Sequence, residues 1–160
     1  VEVGERAVLT SYGAPAIQCN GETVGFKLTV NGVVTSEGSH AMYLPQVESC
    51  TIGDGAVVTG VTGVEIRGGK LVVNERAKIT ANGTFNAETN GNGSTVNGAA
   101  VAVSPHSTNL PLYVNVYGGE LDGAYSLYEA NFQGAARTAE TKILVTEGTC
   151  KSAVSGENIL

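Results

Sequence analysis

Short apolar strands recur along this chain at intervals near twenty residues, and that spacing constrains its fold more than any other feature. Ala7-Val8-Leu9, Leu28-Thr29-Val30, Cys50-Thr51-Ile52, Leu71-Val72-Val73, Leu112-Tyr113-Val114 and Ile143-Leu144-Val145 begin 21, 22, 21, 41 and 31 residues apart. A second series follows at a similar offset: Ala16-Ile17-Gln18-Cys19, Ala41-Met42-Tyr43-Leu44, Val64-Glu65-Ile66-Arg67, Val101-Ala102-Val103 and Tyr125-Ser126-Leu127-Tyr128. Between the two lie further strands such as Val33-Val34 and Ala56-Val57-Val58. Three short strands per repeat of about 21 residues is what a parallel β-helix requires, since each repeat is buried only by its neighbours.

The punctuation agrees. Asn31-Gly32, Gly53-Asp54-Gly55, Gly68-Gly69, Asn82-Gly83 and Gly118-Gly119 follow strands, at corners where Gly and Asn accept positive φ cheaply. The expected fold is therefore all-β: a single-stranded, right-handed parallel β-helix of about six irregular coils forming one domain, residues 1–160. Leu28, Leu71 and Leu112, or Val30, Ile52, Val73 and Val114, would stack as interior ladders. Residues 83–98, rich in Asn, Thr and Gly without apolar period, read as a loop inserted on the solenoid wall. Residues 129–142, with Ala130, Phe132, Ala135, Ala136 and Ala139, read as a cap or side excursion.

Composition narrows the function classes. Fifteen acidic and nine basic side chains, a net charge of −6, are scattered singly, and no basic cluster offers itself to phosphates, so nucleic acid is excluded as a partner. No apolar run reaches the roughly 20 residues of a membrane span. A start at Val1 without a charged-then-apolar leader reads as part of a larger exported protein. Cys19, Cys50 and Cys150 are an odd number at wide spacing, so they read as small thiols in a core stack rather than a disulfide framework or a metal site.

Leu28-Thr29-Val30-Asn31-Gly32, the run from Gly63 to Asn74 (GVEIRGGKLVVN), and Tyr117-Gly118-Gly119-Glu120-Leu121-Asp122-Gly123 resemble repeats of bacterial surface proteins with pectate-lyase-like, right-handed β-helix domains. The resemblance covers most of residues 5–154. It implies export and a secreted or cell-surface setting, and it carries over no catalytic residue, because one scaffold serves lyases, hydrolases, adhesins and inert stalks.

Pectate lyases resemble this scaffold but gather aspartates around calcium, whereas the two aspartates here, Asp54 and Asp122, lie about three coils apart. Asp54 is a turn residue. Glu37, Glu65, Glu120 and Glu129 are the carboxylates a β-helix polysaccharide lyase or glycoside hydrolase would have to gather into one groove. Glu65 and Arg67 alternate with inward Val64 and Ile66, which points both outward as an exposed, solvated pair on one wall and as candidate binding residues. His40 and His106 belong to no metal-ligand pattern and read as surface histidines.

Tyr113, Tyr117, Tyr125 and Tyr128 cluster within sixteen residues. If Tyr125 and Leu127 point inward, Ser126 and Tyr128 point out, and Tyr117 and Tyr128 are the aromatic candidates for stacking on sugars. Ice adsorption would call for regular outward threonine columns, and Thr29, Thr51, Thr59, Thr62, Thr80 and Thr84 do not repeat at one rung position, which argues against it. The expectation is a noncatalytic adhesin-like or spacer module that binds glycans or host surface proteins, with no cofactor and no metal. The alternative is the polysaccharide-active enzyme.

Overall fold

The computed structural model describes residues 1–19, 25–133 and 136–160. With strands numbered in chain order, the first sheet holds β1 (Glu2–Val3), β4 (Lys27–Val30), β7 (Ser49–Ile52), β10 (Gly69–Val73), β15 (Leu112–Val116) and β18 (Thr141–Val145). The second holds β2 (Val8–Ser11), β5 (Val33–Ser36), β8 (Val57–Gly60), β11 (Lys78–Ala81), β16 (Glu120–Asp122) and β19 (Thr149–Cys150). The third holds β3 (Ile17–Gln18), β6 (Met42–Leu44), β9 (Val64–Ile66), β14 (Ala99–Val103), β17 (Tyr125–Glu129) and β20 (Ala153–Ser155). Pairing within each of these sheets is parallel, and successive strands rotate through the three sheets, so the chain is a parallel β-helix. Among the described residues no helix is long and apolar enough to cross a membrane.

Register explains the core. Leu28, Cys50, Leu71, Val114 and Ile143 stack as one interior ladder, and Val30, Ile52, Val73, Val116 and Val145 as the next. Leu112 pairs with Gly69 rather than Leu71, two positions from its expected rung, although it too is fully buried. Cys50 occupies a ladder rung, as a small buried thiol should. Cys150 aligns with inward Leu121 but is exposed, since β19 is the edge strand of its sheet.

The first coil corrects one assignment. Ala7-Val8-Leu9 does not open the Leu28 series: Val8 pairs with Val33 in the second sheet, and Glu2–Val3 is the first-sheet strand. A fixed 21-residue period fails there because Glu2 and its partner Thr29 are 27 positions apart. Where the chain enters β10, Gly69 has φ +95, and a Cβ there would lie 1.7 Å from the Val47 carbonyl oxygen, so no other residue fits.

Residues 83–98 form more than a loop. They carry an antiparallel hairpin, β12 (Asn86–Asn90) and β13 (Gly93–Asn97), laid over the outside of the third sheet. Val96 packs with Ala99, Ala102 and Ala130, and Phe85, Ala87, Tyr125 and Tyr128 close over them in a second apolar cluster. Only these few side chains face the wall, which is why the segment shows no apolar period. Of residues 129–142, those described between β17 and β18 are an excursion with a short helical turn at Ala136; Gly134 and Ala135 lie outside the described residues.

Candidate functional site

The densest polar cluster stands on the outer face of the third sheet, where the hairpin meets β6, β9 and β14. Strand alternation turns Tyr43 and Glu65 outward, and register stacks them on adjacent coils with Ala102 beyond. Arg67 and Ser104 follow at the next outward positions. Outward does not mean exposed here: Glu65 and Arg67 are both 0% accessible. The hairpin covers them, so the expected solvated pair is corrected to a buried one.

Nor do the two side chains pair with each other. Glu65 Oε1 accepts from the N–H of Val96 at 3.2 Å and from the Ser104 hydroxyl, and Oε2 accepts from the Thr95 hydroxyl at 3.2 Å. His40 Nε2 lies 2.7 Å from Oε2 but makes no hydrogen bond there. Arg67 donates through Nε to the Ser104 carbonyl at 3.2 Å, through Nη2 to the Asn92 carbonyl at 2.5 Å, and through Nη1 to the Tyr43 hydroxyl. Its guanidinium carbon also sits 5.7 Å from the Tyr43 ring centroid.

Electrostatics makes this arrangement tolerable. A lone buried charge is costly, whereas two opposite charges two residues apart, about 6.6 Å along a strand, offset each other while backbone groups satisfy their hydrogen bonds. Every partner of the pair on the far side belongs to the hairpin or to its landing strip: Asn92, Thr95, Val96 and Ser104. Thr62 adds another fastening, its hydroxyl donating to the Val96 carbonyl at 2.9 Å. His106 stands beside this cluster, its Nδ1 accepting from the Thr108 N–H at 3.1 Å; burial and the nearby Arg67 charge hold its pKa below the ordinary histidine value.

The remaining candidates lie elsewhere. Tyr117 is 43% exposed on the first sheet, its hydroxyl accepting from the Asn115 side-chain amide at 3.3 Å. Tyr128 is half-buried beneath the hairpin, with ring centroids 4.9 Å from Phe85 and 5.0 Å from Tyr125. Tyr125 is not inward as alternation suggested. Pairing jumps from Tyr125 to Leu127 against β20, an irregularity that turns Tyr125 to the outer face and buries Ser126, which donates to the Leu121 carbonyl.

The four glutamates do not line one groove. Glu120 is on the second sheet, where the Lys151 ammonium 2.8 Å away holds its carboxyl below the usual range. Glu129 is two coils from the Glu65 rung and accepts from the N–H groups of Glu157 and Asn158 at 2.8 and 2.9 Å. Glu37 follows β5 on the second sheet and is exposed. Near Glu129, an open polar cleft of about 510 Å³ is lined by Asn131, Arg137, Lys142 and Asn158 among others, and Asn131 Oδ1 and Arg137 Nε are buried there without a partner. Among the described residues no group of three or more His, Cys, Asp or Glu could hold a metal ion.

Tyr43, Ser104 and the hairpin residues are the cluster members that the sequence reading did not name, and His40, expected at the surface, has its side chain only 15% exposed against Glu65. Tyr43 and Glu65 were findable, since they occupy the same place in two strands already aligned as repeats. In comparisons with family models, curated proteins and solved structures, nothing matches this chain.

Proposed function

We propose that this chain is a noncatalytic β-solenoid module of a secreted or cell-surface protein, a stiff spacer that presents its walls to glycans or host surface proteins. One observation carries the reading: the most concentrated set of polar side chains, around Glu65 and Arg67, is sealed from solvent and spent on fastening the hairpin to the wall. Both side chains are wholly buried at rest, so neither is within reach of a glycan lying on the wall. Tyr117, with its half-exposed ring beside Asn115, is the better contact for a sugar face. Glu65 and Arg67 act in this reading as positioning residues, and Tyr128 as part of the covered cluster.

A polysaccharide-active enzyme is the second reading, favoured by His40 at the cluster's rim, with its side chain 15% exposed and its Nε2 against Glu65. The deciding experiment incubates the purified chain with polygalacturonate, alginate and a neutral glucan, then measures new reducing ends and unsaturated uronate. No turnover, together with binding on a glycan array that Tyr117→Ala weakens, is the expected result. Turnover abolished by His40→Ala would overturn the proposal in favour of the enzyme.

A further inference from the structure

The second sheet repeats itself outwardly. β2, β5 and β8 read Val8-Leu9-Thr10-Ser11, Val33-Val34-Thr35-Ser36 and Val57-Val58-Thr59-Gly60. Leu9, Val34 and Val58 are the inward side chains, so each strand shows the outside one Val and one Thr. Register aligns Val8, Val33 and Val57 in one column, and Thr10, Thr35, Thr59 and Thr80 in the other. This corrects the view that no rung position repeats threonine. Unequal coils, 25, 24 and 21 residues between successive threonines, hide the column from any fixed-period reading.

Three properties define what could lie on this face. Its strands carry no charge over the first three coils, although exposed Glu37 directly follows β5; within the strands charge enters with Lys78, Glu120 and Asp122. It is stiff, because β-branched side chains hold one χ1 well and the sheet beneath fixes their bases. It is also periodic, with hydroxyl and methyl groups repeating at the strand spacing of about 4.8 Å. The threonine hydroxyls that the protein uses internally, such as those of Thr62, Thr95 and Thr146, stand on other parts of the molecule.

A second copy is a poor occupant. Four coils by a four-residue strand cover roughly 19 by 13 Å, about 250 Å², against the roughly 800 Å² per partner of a stable complex. An ordered solid does better, since it can match the period itself. Water oxygens hydrogen-bonded tetrahedrally at about 2.75 Å place second neighbours about 4.5 Å apart. That differs from the rung spacing by only about 0.3 Å, so over three intervals the misfit stays near 1 Å, within the give of a hydroxyl.

We infer that the Val–Thr face of the second sheet is an adsorption surface for ice, Thr10, Thr35, Thr59 and Thr80 supplying lattice-spaced hydroxyls and the valines excluding loosely held water. The inference is independent of glycan binding on the first sheet. The test measures ice recrystallisation and thermal hysteresis with the intact chain, Thr35→Lys and Thr59→Lys, and with Thr29→Lys as a control on the first sheet. Far-UV circular dichroism and melting confirm that each variant folds.

The chain and Thr29→Lys should slow ice growth, and both second-sheet variants should lose most of the effect. An unmodified chain no better than an inert protein at equal concentration overturns the inference, as does equal loss in Thr29→Lys. A dimer in light scattering that Thr35→Lys disperses would assign the face to a second copy instead, and equally overturns it.

Discussion

Removing the Glu65 carboxylate asks whether the buried wall cluster holds the hairpin down. In Glu65→Ala the Val96 N–H and the Thr95 and Ser104 hydroxyls lose their acceptor. The hydroxyls can rotate toward other acceptors; the backbone N–H cannot. One buried donor left unmet costs about 1–3 kcal/mol, and the vacated side-chain volume adds to it, so the hairpin should be loosened by about 2–4 kcal/mol. Glu65→Gln behaves differently. Its carbonyl can serve Val96 and Ser104 while its amide donates to the Thr95 hydroxyl, so it keeps the hydrogen bonds, and the loss of the charge that offsets Arg67 is common to both variants. Amide hydrogen exchange at Val96 reads this directly, because local opening sets its protection. With tenfold per 1.4 kcal/mol, the Ala variant should exchange about 30-fold to several hundredfold faster than the Gln variant. Val96 as protected in Glu65→Ala as in the unmodified chain, or Gln as disruptive as Ala, would refute the fastening role.

Three further outcomes follow from the same coordinates. Leu71→Ala opens a gap in the ladder between Cys50 and Val114 and should cost about 2–5 kcal/mol in urea unfolding; a loss below about 1 kcal/mol would mean the ladder repacks freely. Thiol titration of the native chain should find Cys150 reactive while Cys19 and Cys50 wait for denaturant; three fast thiols would contradict their burial. The lowered Glu120 pKa means its pairing with Lys151 stabilises the fold above the ordinary carboxylate range and loses that contribution as pH falls through the lowered value. Lys151→Met should return Glu120 toward its ordinary titration in an NMR pH series, and an unmoved titration would show that Lys151 is not the cause.

The fold was legible because its signal is repeated. Each coil contributes Val or Leu at matching rungs, so the strand series and turn glycines agree even when single repeats are ragged. Errors arose where coil length varied. The 27-position first coil misassigned Ala7-Val8-Leu9, and the 25- and 24-residue spacings concealed the threonine column, because period arithmetic assumes what register only later establishes. At Tyr125 the pairing irregularity broke the alternation on which inward and outward were judged.

The wall cluster was half legible for a different physical reason. Alternation reports which face of a strand a side chain takes, and it placed Glu65 and Arg67 correctly on the outer one. Whether that face meets water depends on what lies over it, and the cover here is a hairpin of Asn, Thr and Gly that makes its contacts through Val96, Phe85 and two backbone carbonyls. Backbone acceptors leave no trace in residue identity, so Asn92 could not be seen as the partner of Arg67. The informative oddity lay in the sequence all the same: a Glu and an Arg flank Ile66, next to an insertion too polar to fold alone. An insertion that must be held to a solenoid wall without an apolar face of its own needs buried polar anchors beneath it. A charged pair at outward positions beside such an insertion is therefore better read as its fastening than as a solvated ion pair, a rule that Glu65→Ala puts at risk in this chain.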